Sequence, residues 1–343
     1  VHAGVGLRGA VWPGGDEPVI PYGTVVVAPD GTVAALGPAA EVVVPQGFQV
    51  LDGTWVGPGI VDAHVHLAFG GPAEALAGGV VAVRDLGAPP EQAAAWRDPN
   101  GAPVVAVAGP LLTAPGGYPS RSWGADGFAA FVATPDGARR MVAALDVDIV
   151  KVALEPSGGQ PVPDVEVVRA IVEAAHDSSR YVTAHALSEA MVLRALDAGV
   201  DELCHTPVER LSERTVERVA ASGVPVVSTI ETLGRGAARN AAALHAAGVR
   251  LLYGTDLGNA GTKPGVDPRE LRRLADAGLG PLGALRAATE GSAGAYGFSG
   301  ITGRIERGAR AAVVLLDNDP LVHPEIWRQP RATVVGTTLS QRD

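Results

Sequence analysis

Gly57-Pro58-Gly59-Ile60-Val61-Asp62-Ala63-His64-Val65-His66-Leu67 is an apolar run that leaves a Pro-Gly turn and ends on two histidines one residue apart. In an extended strand side chains alternate between faces, so residues at i and i+2 point the same way. The run therefore reads as a strand that delivers His64 and His66 to one spot. Imidazole is the commonest metal-binding side chain near neutral pH. A pair is only the start of a metal site, and the rest of the chain has to supply the other ligands.

Seven further short apolar runs follow, near residues 80–84, 104–108, 148–154, 181–185, 200–205, 224–229 and 250–255. Most are followed by a loop and a stretch with helical periodicity. The clearest helices are predicted over Pro163–Asp177, Ser188–Ala198 and Leu211–Ser222, where Glu, Arg and Asp mark a wet face and Ile, Val, Leu and Ala fill the other. Another is predicted near 90–97. Eight strands alternating with helices give an α/β fold, a (β/α)8 TIM barrel spanning residues 58–300, close to the roughly 250 residues typical of it. Residues 1–57 and 301–343 have a different texture. Thr24–Val27, Gly31–Leu36, Ala311–Leu316 and Ala332–Gly336 read as short strands between turns. Both chain ends are thus expected to build one small β-sandwich subdomain.

Composition narrows the function. The 343 residues are 47% hydrophobic, enough for a large core, and the net charge is -10. No basic cluster is present, which argues against nucleic acid or an anionic membrane as partner. The single cysteine, Cys204, excludes an internal disulfide and a thiolate zinc cluster. No apolar run reaches transmembrane length. No signal-peptide pattern opens the sequence, although it starts at Val1 rather than Met, and a cytoplasmic location is expected. The expected partners are a small-molecule substrate and further copies of the chain.

Catalytic residues of a TIM barrel sit at the C-terminal ends of its strands. His64 and His66 end the first predicted strand, Lys151 lies in the fourth, His185 ends the fifth, His205 the sixth and Asp256 the eighth. Each alone has a plain structural reading: a hydrogen-bonded strand end, a salt-bridged lysine, a helix cap. Six such residues at one end of five strands point to a metal centre. His2, His176, His245 and His323 lack this placement. Cys204 precedes His205, so on an extended strand it faces away from it and reads as buried and inert. Lys151 fits the set if it reacts with carbon dioxide, because an ammonium has no lone pair to give. The resulting carbamate is an anion with two oxygens that can bridge two cations.

The ordered motifs resemble the amidohydrolase superfamily, and within it the imidazolonepropionase-like and Xaa-Pro dipeptidase-like branch. They include Pro58–Leu67, Gly79–Gly87, Ala184-His185-Ala186, Ala195–Asp201, Gly254-Thr255-Asp256, Ala287-Ala288-Thr289, Gly303–Gly308 and Asp319-Pro320-Leu321. The resemblance implies two divalent metal ions, most often zinc. His64, His66 and Asp256 would hold one, His185 and His205 the other, with carboxylated Lys151 and a hydroxide bridging them. It also implies hydrolysis of an amide-type C–N bond in a dipeptide, N-acyl amino acid or cyclic amide, with Asp256 shuttling the proton. A lactonase or phosphotriesterase can share such a centre, and a deaminase or a non-catalytic binding protein are the remaining readings.

Three departures stand out. Tyr118 follows Gly116-Gly117 where relatives often have His, Thr206 follows His205 where Gly is common, and Ala311 stands where Asp is usual. None removes a metal ligand. Tyr118 is a candidate substrate contact. So is Arg84, for which a structural contact with Asp85 is the alternative. The loop Gly258–Gly265, with Asn259 and Lys263, reads either as a lid or as an ordinary surface loop.

Overall fold

The computed structural model describes residues 3–342, so His2 lies outside the described residues. The first strands are β1 (Val5–Val11), β2 (Ile20–Val27), β3 (Val33–Pro38) and β4 (Gln49–Pro58). Next come β5 (Ile60–Val65), β6 (Val80–Asp85), β7 (Val104–Val107), β8 (Leu111–Thr113), β9 (Ala129–Phe131), β10 (Ile149–Leu154) and β11 (Tyr181–Ala186). Then follow β12 (Glu202–Leu203), β13 (Val226–Val227) and β14 (Leu251–Leu252), and finally β15 (Ala312–Leu316), β16 (Ala332–Val335) and β17 (Thr338–Gln341).

From β5 to β14 the strands pair in parallel and most are followed by a helix, as the apolar runs predict. β5, β6 and β7 form one sheet, and β9-β8-β10-β11-β12-β13-β14 form another in that order. Every residue of β5, β6 and β10 is buried, which is why these strands read as near-continuous apolar runs rather than as an alternation. The helices cover the outside. Val165–Asp177 turns Val168, Ile171 and Ala175 inward. Glu213–Ser222 starts where the Ser212 hydroxyl accepts from the Thr215 N–H.

Two details differ from the sequence reading. The predicted strands at 200–205, 224–229 and 250–255 shrink to two residues of regular pairing each. Beyond that pairing the chain bends to aim its polar side chains; Thr229 (φ 42°) and Asp256 (φ 54°) sit in the left-handed region there. The short strands β8 and β9 also had no sequence signal of their own. Backbone hydrogen bonds join seven strands from both chain regions into one mixed sheet, β17-β16-β15-β4-β1-β2-β3. It keeps its own apolar cluster, including Leu7, Val25, Val56 and Val313.

Backbone hydrogen bonds also tie early strands to late ones. The Ala63 N–H donates to the Tyr253 carbonyl at 3.1 Å, Asp256 N–H to His64 O at 2.8 Å, and His66 N–H to Leu257 O at 2.9 Å. These three bonds bring the first histidine pair and Asp256 to the same rim. No helix among the described residues is long and apolar enough to cross a membrane.

Candidate metal centre

The six predicted ligands meet. His64, His66, Lys151, His185, His205 and Asp256 all line one cavity of about 290 Å³. Asp256 Oδ1 lies 3.4 Å from His64 Nε2 and 3.5 Å from His66 Nε2. The His64 and His205 rings are 4.5 Å apart, and the His185 and His205 rings 4.7 Å. Lys151 Nζ lies 3.5 Å from His64 Nε2. A larger, open hollow of about 820 Å³ lies against the flanking sheet beside Arg8 and Asp52. It contains none of the clustered ligand groups found among the described residues.

Hydrogen bonds on the far side of each ring decide which nitrogen stays free. His64 Nδ1 donates to the Cys204 carbonyl at 2.8 Å and His66 Nδ1 to the Gly87 carbonyl at 3.2 Å. His64 and His66 therefore keep the Nε2 lone pair to offer, while His205 Nδ1 is in hydrogen-bond contact with the Thr229 hydroxyl at 3.0 Å. His185 is turned the other way: its Nε2 donates to Glu155 Oε2 at 3.3 Å, which frees Nδ1. Burial pushes the pKa of His64 and His205 well down, and that of His185 down, so these imidazoles are neutral with a lone pair to offer. The His185 contact, with help from Ser157, holds the Glu155 carboxyl down at about 2.

The ligand atoms of His64, His66 and Asp256 lie within 4.8 Å of one another, as do those of His64, Cys204 and His205. Neutral imidazoles, one carboxylate and an amine able to become a carbamate are the donors that divalent zinc-like ions accept. The residues present thus fit the metal centre that the sequence implies.

The backbone is shaped for this arrangement. A Cβ on Gly87 would lie 2.6 Å from Leu111 Cδ1 and 2.9 Å from His66 Cε1. One on Gly254 would lie 2.4 Å from Val227 Cγ1 and 3.2 Å from His64 Cβ. Only glycine lets His64 and His66 sit this close to the neighbouring segments. Asp62 fastens the same corner: it accepts from His64 N–H at 3.2 Å, Thr255 N–H at 3.0 Å and the Thr255 hydroxyl at 2.6 Å.

Tyr118 lines the cavity as the sequence suggests, its ring 5.1 Å from that of His185. Arg84 does not. It is 1% exposed, and its guanidinium grips Glu202 through two hydrogen bonds of 2.8 and 3.1 Å under the Tyr296 ring. Asp85 is not its partner either, because that carboxylate accepts from the Leu67 and Gly87 N–H groups. Of the 258–265 loop, Gly258 and Asn259 reach the cavity, whereas Lys263 lines a separate hollow with Arg328. His176 pairs with Asp201 on the surface.

The expectation for Cys204 needs correcting. It is buried, but its Sγ accepts from Lys151 Nζ at 2.8 Å. Regular pairing stops at Leu203, so the strict alternation assumed for 200–205 does not reach it. Glu155, Thr229 and Trp123 also went unnoticed in the sequence. Glu155 directly follows β10, so its place at a strand end was a usable signal. Trp123 comes from an irregular loop and left none.

Residues 55–340 match the amidohydrolase family. Ochratoxinase from Aspergillus niger is 28% identical over 193 residues, covering 49% of this chain and 38% of that protein. The chain thus spans well under half the length of the curated relatives it matches. A solved structure described as a prolidase from Bifidobacterium longum superposes with a TM-score of 0.86 at 25% identity, covering 100% of this chain and 96% of the other. A Xaa-Pro dipeptidase with bound methionine gives 0.85 at 18% identity, covering 99% and 100%. These likenesses show a TIM-barrel-like α/β fold, and the match over residues 55–340 places this chain in the amidohydrolase family.

Proposed function

We propose that this amidohydrolase-family enzyme hydrolyses an amide-type C–N bond of a small molecule with the aid of two divalent metal ions, taken as zinc. The observation that carries the reading is the convergence of four histidines and Asp256 around Lys151, with outward hydrogen bonds that leave one ring nitrogen of His64, His66 and His185 free. His64, His66 and Asp256 would hold one ion and His185 and His205 the other, with Lys151, as its carbon dioxide-derived carbamate, shared between them. When bound, such ions acidify water and polarise a carbonyl. Asp256 accepts the proton of the attacking water and passes it to the leaving nitrogen. The acyl carbon gains the water oxygen, the C–N bond breaks, and the products are a carboxylate and an amine. Relatives named as a prolidase and a Xaa-Pro dipeptidase support the amide bond.

The same proposal takes residues 58–300 as a closed eight-stranded barrel, β5-β6-β7-β10-β11-β12-β13-β14, flanked by residues 1–57 and 301–343. Hydrogen bonds from Asp148 N–H to Val107 O at 2.9 Å and from Asp256 N–H to His64 O support the two junctions that regular pairing leaves out.

The test is elemental analysis of the purified protein together with turnover of amide, lactone and phosphotriester panels. Two metals per chain and preference for amides are expected. Faster turnover of a lactone or phosphotriester, or protein that takes up no metal and cleaves nothing, would overturn the proposal.

A further inference from the structure

The cavity above the metal ligands is walled by aromatic and aliphatic side chains. Phe69, Tyr118 and Trp123 line it, as do Leu111, Leu187 and Leu233, with the amide of Asn259, which donates to the Asp256 carbonyl at 3.0 Å, as the polar exception outside the ligand set. Trp123 stands edge-on to His66, ring centres 5.0 Å apart. Among the described lining residues, Lys151 is the sole Lys or Arg, and it lies 1% exposed among the ligands. Arg121 comes from the same loop as Tyr118 and Trp123, but its guanidinium lies over Gly116 and does not line the cavity. The nearby acidic groups are Asp256 in the lining and Glu155 behind His185.

A carboxylate on the substrate, away from the scissile bond, would therefore leave water for an apolar wall with no cation to meet it. Burying an unpaired charge is strongly unfavourable. A neutral group meets the opposite situation. Aromatic and aliphatic surfaces gain from losing water. Tyr118 supplies one directional contact. Its oxygen accepts from Trp123 Nε1–H at 3.0 Å, which leaves the phenol O–H to donate.

We infer that the substrate is an uncharged N-aryl or N-alkyl amide with no free carboxylate, its apolar portion packed against Trp123, Phe69 and Leu187 and a neutral acceptor held by Tyr118. This deepens the proposed function and rests on it for the bond broken. It singles out neutral amides over the dipeptides and N-acyl amino acids that a dipeptidase-like reading would favour.

The test uses the metal-loaded full chain and matched pairs that differ only in a carboxylate: N-acetylphenethylamine against N-acetylphenylalanine, and acetanilide against 4-acetamidobenzoate. The neutral member of each pair is expected to have at least tenfold higher kcat/KM. Equal or faster turnover of the acids would overturn the inference. Calorimetric binding of the same compounds separates the two readings. Tighter binding of the neutral members without turnover supports the charge selection while overturning amide hydrolysis; equal or tighter binding of the acids overturns the charge selection itself. Placing a cation in the wall by Leu187→Arg, or by Leu233→Lys should the first variant fail to fold, is expected to move the preference at least tenfold towards the acids. An unchanged preference in a folded variant would show that the absent cation is not what selects.

Discussion

Lys151 Nζ donates to Cys204 Sγ at 2.8 Å, a contact between strand β10 and the bend that follows β12. Burial pushes the Cys204 thiol up to about 11, so the sulfur faces the lysine as a neutral, weak acceptor. It occupies space without adding a charge. Cys204→Ser keeps a small acceptor and is expected to retain the parent's metal content. Cys204→Leu puts a branched chain against Nζ, where a carbamate needs room, and is expected to lose at least half of the bound metal. Elemental analysis of the two variants checks this, and a folded Leu variant with full metal content would refute it.

Asp62 touches no substrate-facing atom, yet it binds the backbone of His64 and both the backbone and hydroxyl of Thr255, the neighbour of Asp256. Removing it frees two ligand-bearing strands at once. Partners that orient ligands are worth roughly 10–100-fold in metal affinity. Asp62→Ala should weaken metal binding within that range, as read by competition with a chelator, and Asp62→Asn should recover part of the loss. Affinity unchanged in the Ala variant would mean that the strands hold their places without it.

Arg84 and Glu202 form a buried ion pair beneath the metal ligands, and Glu202 also accepts from the Thr183 hydroxyl at 2.6 Å. Deleting one partner strands the other charge in the core, at a cost of about 3–5 kcal/mol. Arg84→Met should therefore lower stability by that order. The double change Arg84→Met with Glu202→Gln should be markedly more stable than Arg84→Met alone. Urea unfolding midpoints decide it. If the double variant is the less stable of the two, the stranded charge is not the source of the loss.

Glu270 gives the chain a pH dependence away from the metal centre. Burial pushes its carboxyl up to about 7, against opposing hydrogen bonds that include the Ile230 and Glu231 N–H groups. An acid whose pKa is higher folded than unfolded binds more protons in the native state between the two values. Stability contributed by this group is then greatest below its ordinary value near 4.5 and is lost as pH rises to about 7. Glu270→Gln removes the titration. Between pH 5 and 8 the parent should lose stability relative to this variant, measured as the difference in Tm. Parallel profiles would rule out Glu270 as the titrating group.

The ligands were legible because two regularities coincide in them. Buried strands leave apolar runs, and a polar residue closing such a run has little reason to be there except chemistry. His64, His66, His185, His205 and Asp256 all obey this, and Lys151 sits conspicuously inside a run whose other members are apolar. What stayed hidden was pairing across long separations. The Arg84 partner lies 118 residues away, and nothing near Arg84 announces it. Cys204 was misread because period-two alternation was extended past the point where pairing ends. Trp123 lies in an irregular loop, where no period links sequence to direction.

The position of β4 affects how the protein emerges from the ribosome. This strand lies between β1, its parallel neighbour, and β15, its antiparallel one. Residues 55–58 therefore keep one row of backbone groups unpaired until residues 313–316 have been synthesised. At roughly 5–20 residues per second that delay is on the order of tens of seconds. For that time a nascent chain displays an open strand edge directly ahead of the first two histidines, a target for holdase chaperones and for pairing with neighbouring nascent chains. Yield in cells should accordingly depend on chaperone supply more than the stability of the finished enzyme would suggest.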